Sequence, residues 1–195
     1  MRKRAVKYAG AILLFTSIFL LFIFLFVAKL PDVPLEFLFV DTEILPPGWI
    51  ISRTLSPSSD STSGNPMHLF RDWVNDEVPS DVGPTTWMRI RKYKYPAEAI
   101  YSYNLSTSRA ILPQEVYYTL ENLGDTNAYA EQGYIVCTWP NAGDKCRAVG
   151  RYRQYVITFQ FDFYGQPREE MESDFQKLWE EVDRHIGESL NQAQK

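Results

Sequence analysis

The sequence predicts an α+β chain: an N-terminal transmembrane helix, then one domain whose mostly antiparallel sheet is packed by helices, with a long C-terminal helix. Three observations predict it. Residues 8–28 are apolar and uncharged. In residues 155–164 (YVITFQFDFY), Tyr155, Ile157, Phe159, Phe161 and Phe163 share one side of a period-two pattern, with Thr158, Gln160 and Asp162 on the other. That is an antiparallel strand with one buried face and one wetter face. After Pro167, the residues Met171, Phe175, Leu178, Trp179, Val182, Ile186 and Leu190 recur at helical spacing, which makes an amphipathic helix. At 195 residues the chain suits one anchored domain.

The apolar run follows Arg2, Lys3, Arg4 and Lys7. Its 21 residues, at about 1.5 Å each, make roughly 30 Å of helix, the thickness of a bilayer's hydrocarbon core. It has no polar face, and Thr16 and Ser17 are its aliphatic hydroxyls. Cleavage after Ala28 would put bulky Phe26 at −3, which signal peptidases disfavour, so the run reads as an uncleaved signal-anchor. Basic flanks stay in the cytoplasm. The expected layout is a cytoplasmic segment 1–7, a membrane span 8–28 with the lipid bilayer as its partner, a juxtamembrane stretch 29–40 and an extracytoplasmic domain 41–195. The expected location is the plasma membrane, crossed once.

Beyond the span lie 16 Lys/Arg and all 24 Asp/Glu, a net charge of −8. An acidic domain lacks the basic surface that nucleic acid requires.

Within the domain, Pro31 and Pro34 stop the first helix. Phe37-Leu38-Phe39-Val40 is expected either as a first strand or as a stretch resting on the bilayer. Pro46-Pro47-Gly48 forces a turn into a strand over 49–55. Residues 56–66 (SPSSDSTSGNP) are a polar loop, and 67–74 return as a second strand. Residues 86–95 make a third strand, ended by Pro96. Two helices are expected next, over 97–105 and 113–123; in the second, Pro113 opens the first turn, Gly124 follows the end, and Val116, Leu120 and Leu123 share a face. Residues 129–139 and 145–152 read as strands around the turn residues Pro140-Asn141-Ala142-Gly143. The final helix opens at Pro167 with Glu169 and Glu170 at the positive end of its dipole. Its apolar stripe belongs on the aromatic face of the preceding strand, a burial worth roughly 10 to 15 kcal/mol in gross transfer terms.

The cysteines, Cys137 and Cys146, flank that turn. Outside the cytoplasm two lone cysteines oxidise, and pairing Trp139 with Asp144 sets them opposite one another. In a non-hydrogen-bonded pair their Cα atoms would be about 4.5 Å apart, within disulfide range. A zinc site would need about four ligands at short paired spacings, and a redox pair two intervening residues rather than eight. A disulfide follows; no metal or cofactor is expected.

Signals for catalysis are sparse. Ser58, Ser59 and Ser63 sit in no nucleophile elbow, since no apolar strand feeds directly into them and no helix follows. His68 and His185 read as half-buried structural imidazoles. The carboxylate pairs Asp72/Asp76, Glu169/Glu170 and Glu180/Glu181 would have to converge in a cleft to work as acid and base. The third strand is more suggestive. Trp87, Arg89, Arg91, Tyr93 and Tyr95 share one face, while Met88, Ile90, Lys92 and Lys94 share the other. Tryptophan, arginine and tyrosine together are what binding interfaces favour. The competing reading buries the rings and lays the arginine stems over them. The sequence therefore points to a non-catalytic binding or accessory module near the membrane surface, with a membrane-protein or small-ligand partner. The alternative is a membrane-tethered hydrolase whose acids converge only in the fold.

Overall fold

The computed structural model describes residues 2–23, 32–58, 66–77, 85–109, 115–119, 129–138, 144–163 and 168–193. Residues 2–22 form helix α1 (Arg2–Phe22). From Ile12 to Phe22 its nine large apolar side chains are all more than half exposed, on every face. The hydroxyls of Thr16 and Ser17 turn inward and donate to the carbonyls of Ile12 (2.5 Å) and Leu13 (2.9 Å). Among the described residues no helix is long and apolar enough to cross a membrane; residues 24–28, the expected end of the span, lie outside them.

Strands β1 (Trp49–Ser58), β2 (Met67–Asn75) and β3 (Thr85–Lys92) form one antiparallel meander. A second meander comprises β4 (Glu115–Thr119), β5 (Gln132–Thr138), β6 (Asp144–Tyr152) and β7 (Tyr155–Phe163). Antiparallel pairing of β3 with β7 joins the two into a seven-stranded sheet, ordered β1-β2-β3-β7-β6-β5-β4. Helix α2 (Pro96–Arg109) links the meanders, and α3 (Arg168–Gln192) closes the chain. The first turn works as expected: Gly48 has φ 88°, a left-handed conformation that glycine adopts without steric cost.

One sheet face and α3 enclose the main core. All seven residues of the predicted stripe are buried there, against Ile157, Phe159, Phe161 and Phe163 of β7. The Phe159 and Phe175 rings stack at 6.0 Å, and Phe163 meets Phe175 edge-on at 6.3 Å. Met88 and Ile90 of β3 point into the same core. The predicted disulfide forms: Cys137 and Cys146 are register partners, with Cα atoms 4.1 Å apart.

Four expectations are corrected. Residues 115–119 form strand β4 on the sheet edge, not part of a helix over 113–123; the remainder of that stretch lies outside the described residues. Pairing of Val116 with Cys137 and Tyr118 with Ile135 supplies the backbone partners, and tertiary pairing overrides the helical spacing. Phe37–Val40 is neither strand nor membrane-facing patch as a whole. A single 3-10 turn, Leu35–Leu38, leaves Phe37 exposed while Leu38, Phe39 and Val40 enter the core with Val33 and Leu35. The packed core thus takes in residues before position 41. The Val33 N–H donates to the Tyr155 hydroxyl (3.1 Å), and Asp32 pairs with Lys92.

The second face of β7 is also drier than expected. Val156 and Thr158 are buried, while Gln160 and Asp162 are half-buried. Helix α2 lies over that face and forms a second core from Tyr93, Ala99, Tyr103, Tyr134, Val136, Val149 and Val156. Lastly, His68 is exposed rather than half-buried; His185 is half-buried as expected, its Nε2 3.2 Å from the Phe37 carbonyl.

Candidate functional site

The site is built where α2 stops covering the sheet. Strand alternation brings Trp87, Arg89 and Arg91 of β3 to the α2 face. In register with them stand Gln160, Thr158 and Val156 of β7; Arg147 and Val149 of β6 come next, paired with Gln160 and Thr158. Tyr134 of β5 is opposite Val149. Helix α2 begins directly after β3, its start held by Glu98, whose carboxylate accepts the backbone N–H groups of Lys94 (3.1 Å) and Tyr95 (3.3 Å), a reach-back cap. Its far turn contributes Ser106. Trp87, Arg89, Arg91, Ser106, Tyr134, Arg147, Val149 and Thr158 line a pocket of about 260 Å³.

Of the five predicted binding residues, three come together here and two do not. Tyr93 is buried under α2, and its hydroxyl donates to Ser102 Oγ. Strand β3 ends at Lys92, so Tyr95 falls at the entrance to α2, where Lys94 Nζ lies 5.1 Å from its ring centre. Arg147 was not visible as a partner in the sequence, because it lies 56 residues beyond Arg91 and reaches the pocket only through the β3–β7–β6 pairing.

The charges in this pocket are unbalanced. Among the described lining residues are three arginines and no carboxylate. Arg89 is held over rings rather than by an acid: its guanidinium carbon is 5.7 Å from the centre of Phe70 and 5.6 Å from that of Trp87, rings that are themselves 5.8 Å apart. Burial, and then the charge of Arg91, hold the Arg89 guanidinium below its usual pKa. Arg91 Nη2 reaches Thr158 Oγ1 at a long 3.5 Å. The Nε–H groups of Arg91 and Arg147 are buried without a hydrogen-bond partner, an arrangement that costs stability. Elsewhere the same domain supplies partners: Arg151, four residues along β6, is held by Glu131 and Gln132 (2.8 Å), and Arg53 by Asp72 (3.0 Å).

A larger cleft of about 580 Å³ opens at the other end of β7, between Trp49, Phe161, Phe163 and Leu178, with Asp162, Asp174 and Glu181 on its walls. Each of these acids has a partner of its own. Asp162 accepts from Thr85 (2.8 Å) and Gln160 (3.0 Å), Asp174 lies 3.4 Å from Lys177, and Glu181 pairs with Arg184. The described lining includes no histidine. Among the described residues, no three His, Cys, Asp or Glu side chains gather as a metal site would require.

No known protein family matches this sequence. No curated protein matches it either. Among solved structures, the extracellular domain of PknH from Mycobacterium tuberculosis is similar over 80% of this chain and 100% of that one, at 9% identity and a TM-score of 0.48. At that score it is a distant likeness in layout.

Proposed function

We propose that this chain is a membrane-tethered, extracytoplasmic binding module, non-catalytic, with its recognition surface on the sheet face that α2 leaves open. The observation that carries the reading is the convergence of Trp87, Arg89 and Arg91 from β3 with Thr158 and Arg147 of the neighbouring strands around one pocket. Aromatic and arginine side chains grouped around a concavity are the usual anchors of binding.

Two further observations support the tether and its placement. The large apolar side chains of α1 from Ile12 to Phe22 are exposed on every face, a surface that a water-soluble helix cannot sustain at such length. The Cys137–Cys146 disulfide fits an oxidising compartment. With a span ending near residue 28 and Val33 already in the core, the linker is only a few residues long. The domain would then sit against the bilayer surface.

Substituting Trp87, Arg89 and Arg91 together by alanine tests the surface. Crosslinked partner capture from intact cells should fall, while the melting temperature stays close to wild type. Unchanged capture, or loss of the fold, rejects it. For topology, a C-terminal tag on intact cells should be digested by added protease. A protected tag would put the domain on the other side.

The alternative, a tethered hydrolase, would use the cleft lined by Asp162, Asp174 and Glu181. It would require those acids to leave their present partners.

A further inference from the structure

We propose that the open-face pocket is an oxyanion site, in which Arg91 and Arg147 grip a phosphoryl group, Arg89 closes the mouth, and the Trp87 ring flanks whatever the phosphoryl group is attached to. This deepens the binding-module reading and rests on it.

The first argument is charge. Three guanidinium groups converge on one small concavity, with no carboxylate among its described walls, in a domain that is acidic overall. The fold could have neutralised them, as it neutralises Arg151 with Glu131 and Arg53 with Asp72. Clustered like charges without a counter-charge destabilise a domain, and a ligand of opposite charge recovers that cost on binding.

The second argument is hydrogen bonding. The Nε–H groups of Arg91 and Arg147 are buried and lack a partner. An Nε–H and the Nη–H beside it form the fork that a carboxylate or phosphate engages through two oxygens. Arg91 and Arg147 line the pocket from β3 and β6. An anion that draws both guanidinium groups toward it, uncovering Nε–H groups that the ligand-free protein buries, needs at least three oxygens to engage two forks. A phosphoryl group has them, and at neutral pH it carries close to two negative charges. A monocarboxylate offers two oxygens and one charge.

The third argument is positioning. Arg91 is steadied by Thr158 Oγ1, and Arg89 is stacked over Phe70 and Trp87. Both heads therefore have neighbours that narrow their range before any ligand arrives, which lowers the entropy cost of binding. Val149 and Tyr134 are buried and form the floor of the pocket, while the half-buried Trp87 ring offers a face on which an aryl phosphomonoester can stack and the bare ion cannot.

The experiment uses the full chain in an uncharged detergent at constant ionic strength, titrated calorimetrically with phenyl phosphate, inorganic phosphate, benzoate and a short-chain, water-soluble phosphatidic acid. Of the first three, phenyl phosphate should bind tightest and benzoate weakest. Arg91→Gln and Arg147→Gln should each weaken phenyl phosphate about tenfold or more, as loss of a charged hydrogen bond predicts. Neither substitution should lower the melting temperature of the ligand-free protein, because among the described residues neither arginine holds an acid. Phosphatidic acid binding that both substitutions weaken would identify a lipid headgroup as the source; binding of phenyl phosphate alone would identify a small solute. The proposal is overturned if phenyl phosphate does not bind, if it binds both variants as it binds wild type, or if both variants melt markedly lower. Partner capture that still depends on Trp87 would then leave the binding-module reading standing without the anion.

Discussion

The hydroxyl of Tyr152 on β6 donates to the carboxylate of Asp183 on α3, and both side chains are almost fully buried. The same carboxylate accepts the backbone N–H groups of Tyr129 (2.6 Å) and Ala130 (3.0 Å). One acid therefore ties the last helix to the sheet and to the chain entering β5. Asp183→Ala strands these donors and should cost about 3 kcal/mol; Tyr152→Phe, which leaves the two N–H bonds in place, should cost about 1 kcal/mol. Urea denaturation of the two variants measures both. Equal losses would show that the backbone bonds contribute nothing.

The same pair predicts a pH dependence. Burial, then the charge of Asp183 and its hydrogen bond, push the Tyr152 pKa well above the usual tyrosine value. The folded protein keeps this proton at pH values where the unfolded chain, titrating at about pH 10, has released it. The stability it contributes is present in full below about pH 10 and is lost as pH rises beyond it. Melting temperatures measured from pH 8 to 11 should fall less steeply for Tyr152→Phe than for wild type. Parallel curves would refute the linkage.

Gly187 sits in the interior of α3, where alanine is ordinarily better by about 1 kcal/mol. Here a Cβ would lie 2.0 Å from Tyr129 Cγ and 2.4 Å from Tyr129 Cβ. Gly187→Ala should instead destabilise by about 1 to 3 kcal/mol. Chemical denaturation checks the sign, and Tyr129→Gly in the same chain, which removes the Cβ as well as the ring, should restore much of the loss. A more stable single variant would mean that Tyr129 can swing clear.

Replacing both Cys137 and Cys146 with alanine should lower stability by roughly 2.7 kcal/mol on the chain-entropy account of a ten-residue loop. Because both cysteines are buried, the thiol test belongs in denaturant. Protein taken from intact cells should bind no alkylating reagent until a reductant is added. Labelling without reductant would refute the disulfide.

Much of the fold was legible because it is written in short-range periodicity. Alternation in 155–163, helical spacing from Met171 to Leu190, and the two cysteines around a turn each define their own geometry, and β7, α3 and the disulfide form as predicted. Where local spacing was ambiguous, long-range pairing decided. Val116 keeps helical distance from Leu120 and Leu123, yet its stretch becomes an edge strand because β5 offers it a ladder. Leu38, Phe39 and Val40 are apolar enough for a strand, yet they fill the core from the last residue of a 3-10 turn and the two that follow it. The candidate site divides the same way. Trp87, Arg89 and Arg91 stand out in one strand, whereas Arg147 and Thr158 join them only across the sheet.

By itself the sequence determined the apolar N-terminal run, the acidic balance of the remainder, the disulfide register and the two elements that enclose the main core. Those depend on residue chemistry at separations of two to ten positions, which the chain displays directly. Only the tertiary structure decided that α2 would lie on the second face of β7 and stop short of Arg89, leaving three arginines around one opening. That outcome depends on which strand pairs with which. Such a choice is set by burial summed over the whole sheet, and no single segment records it.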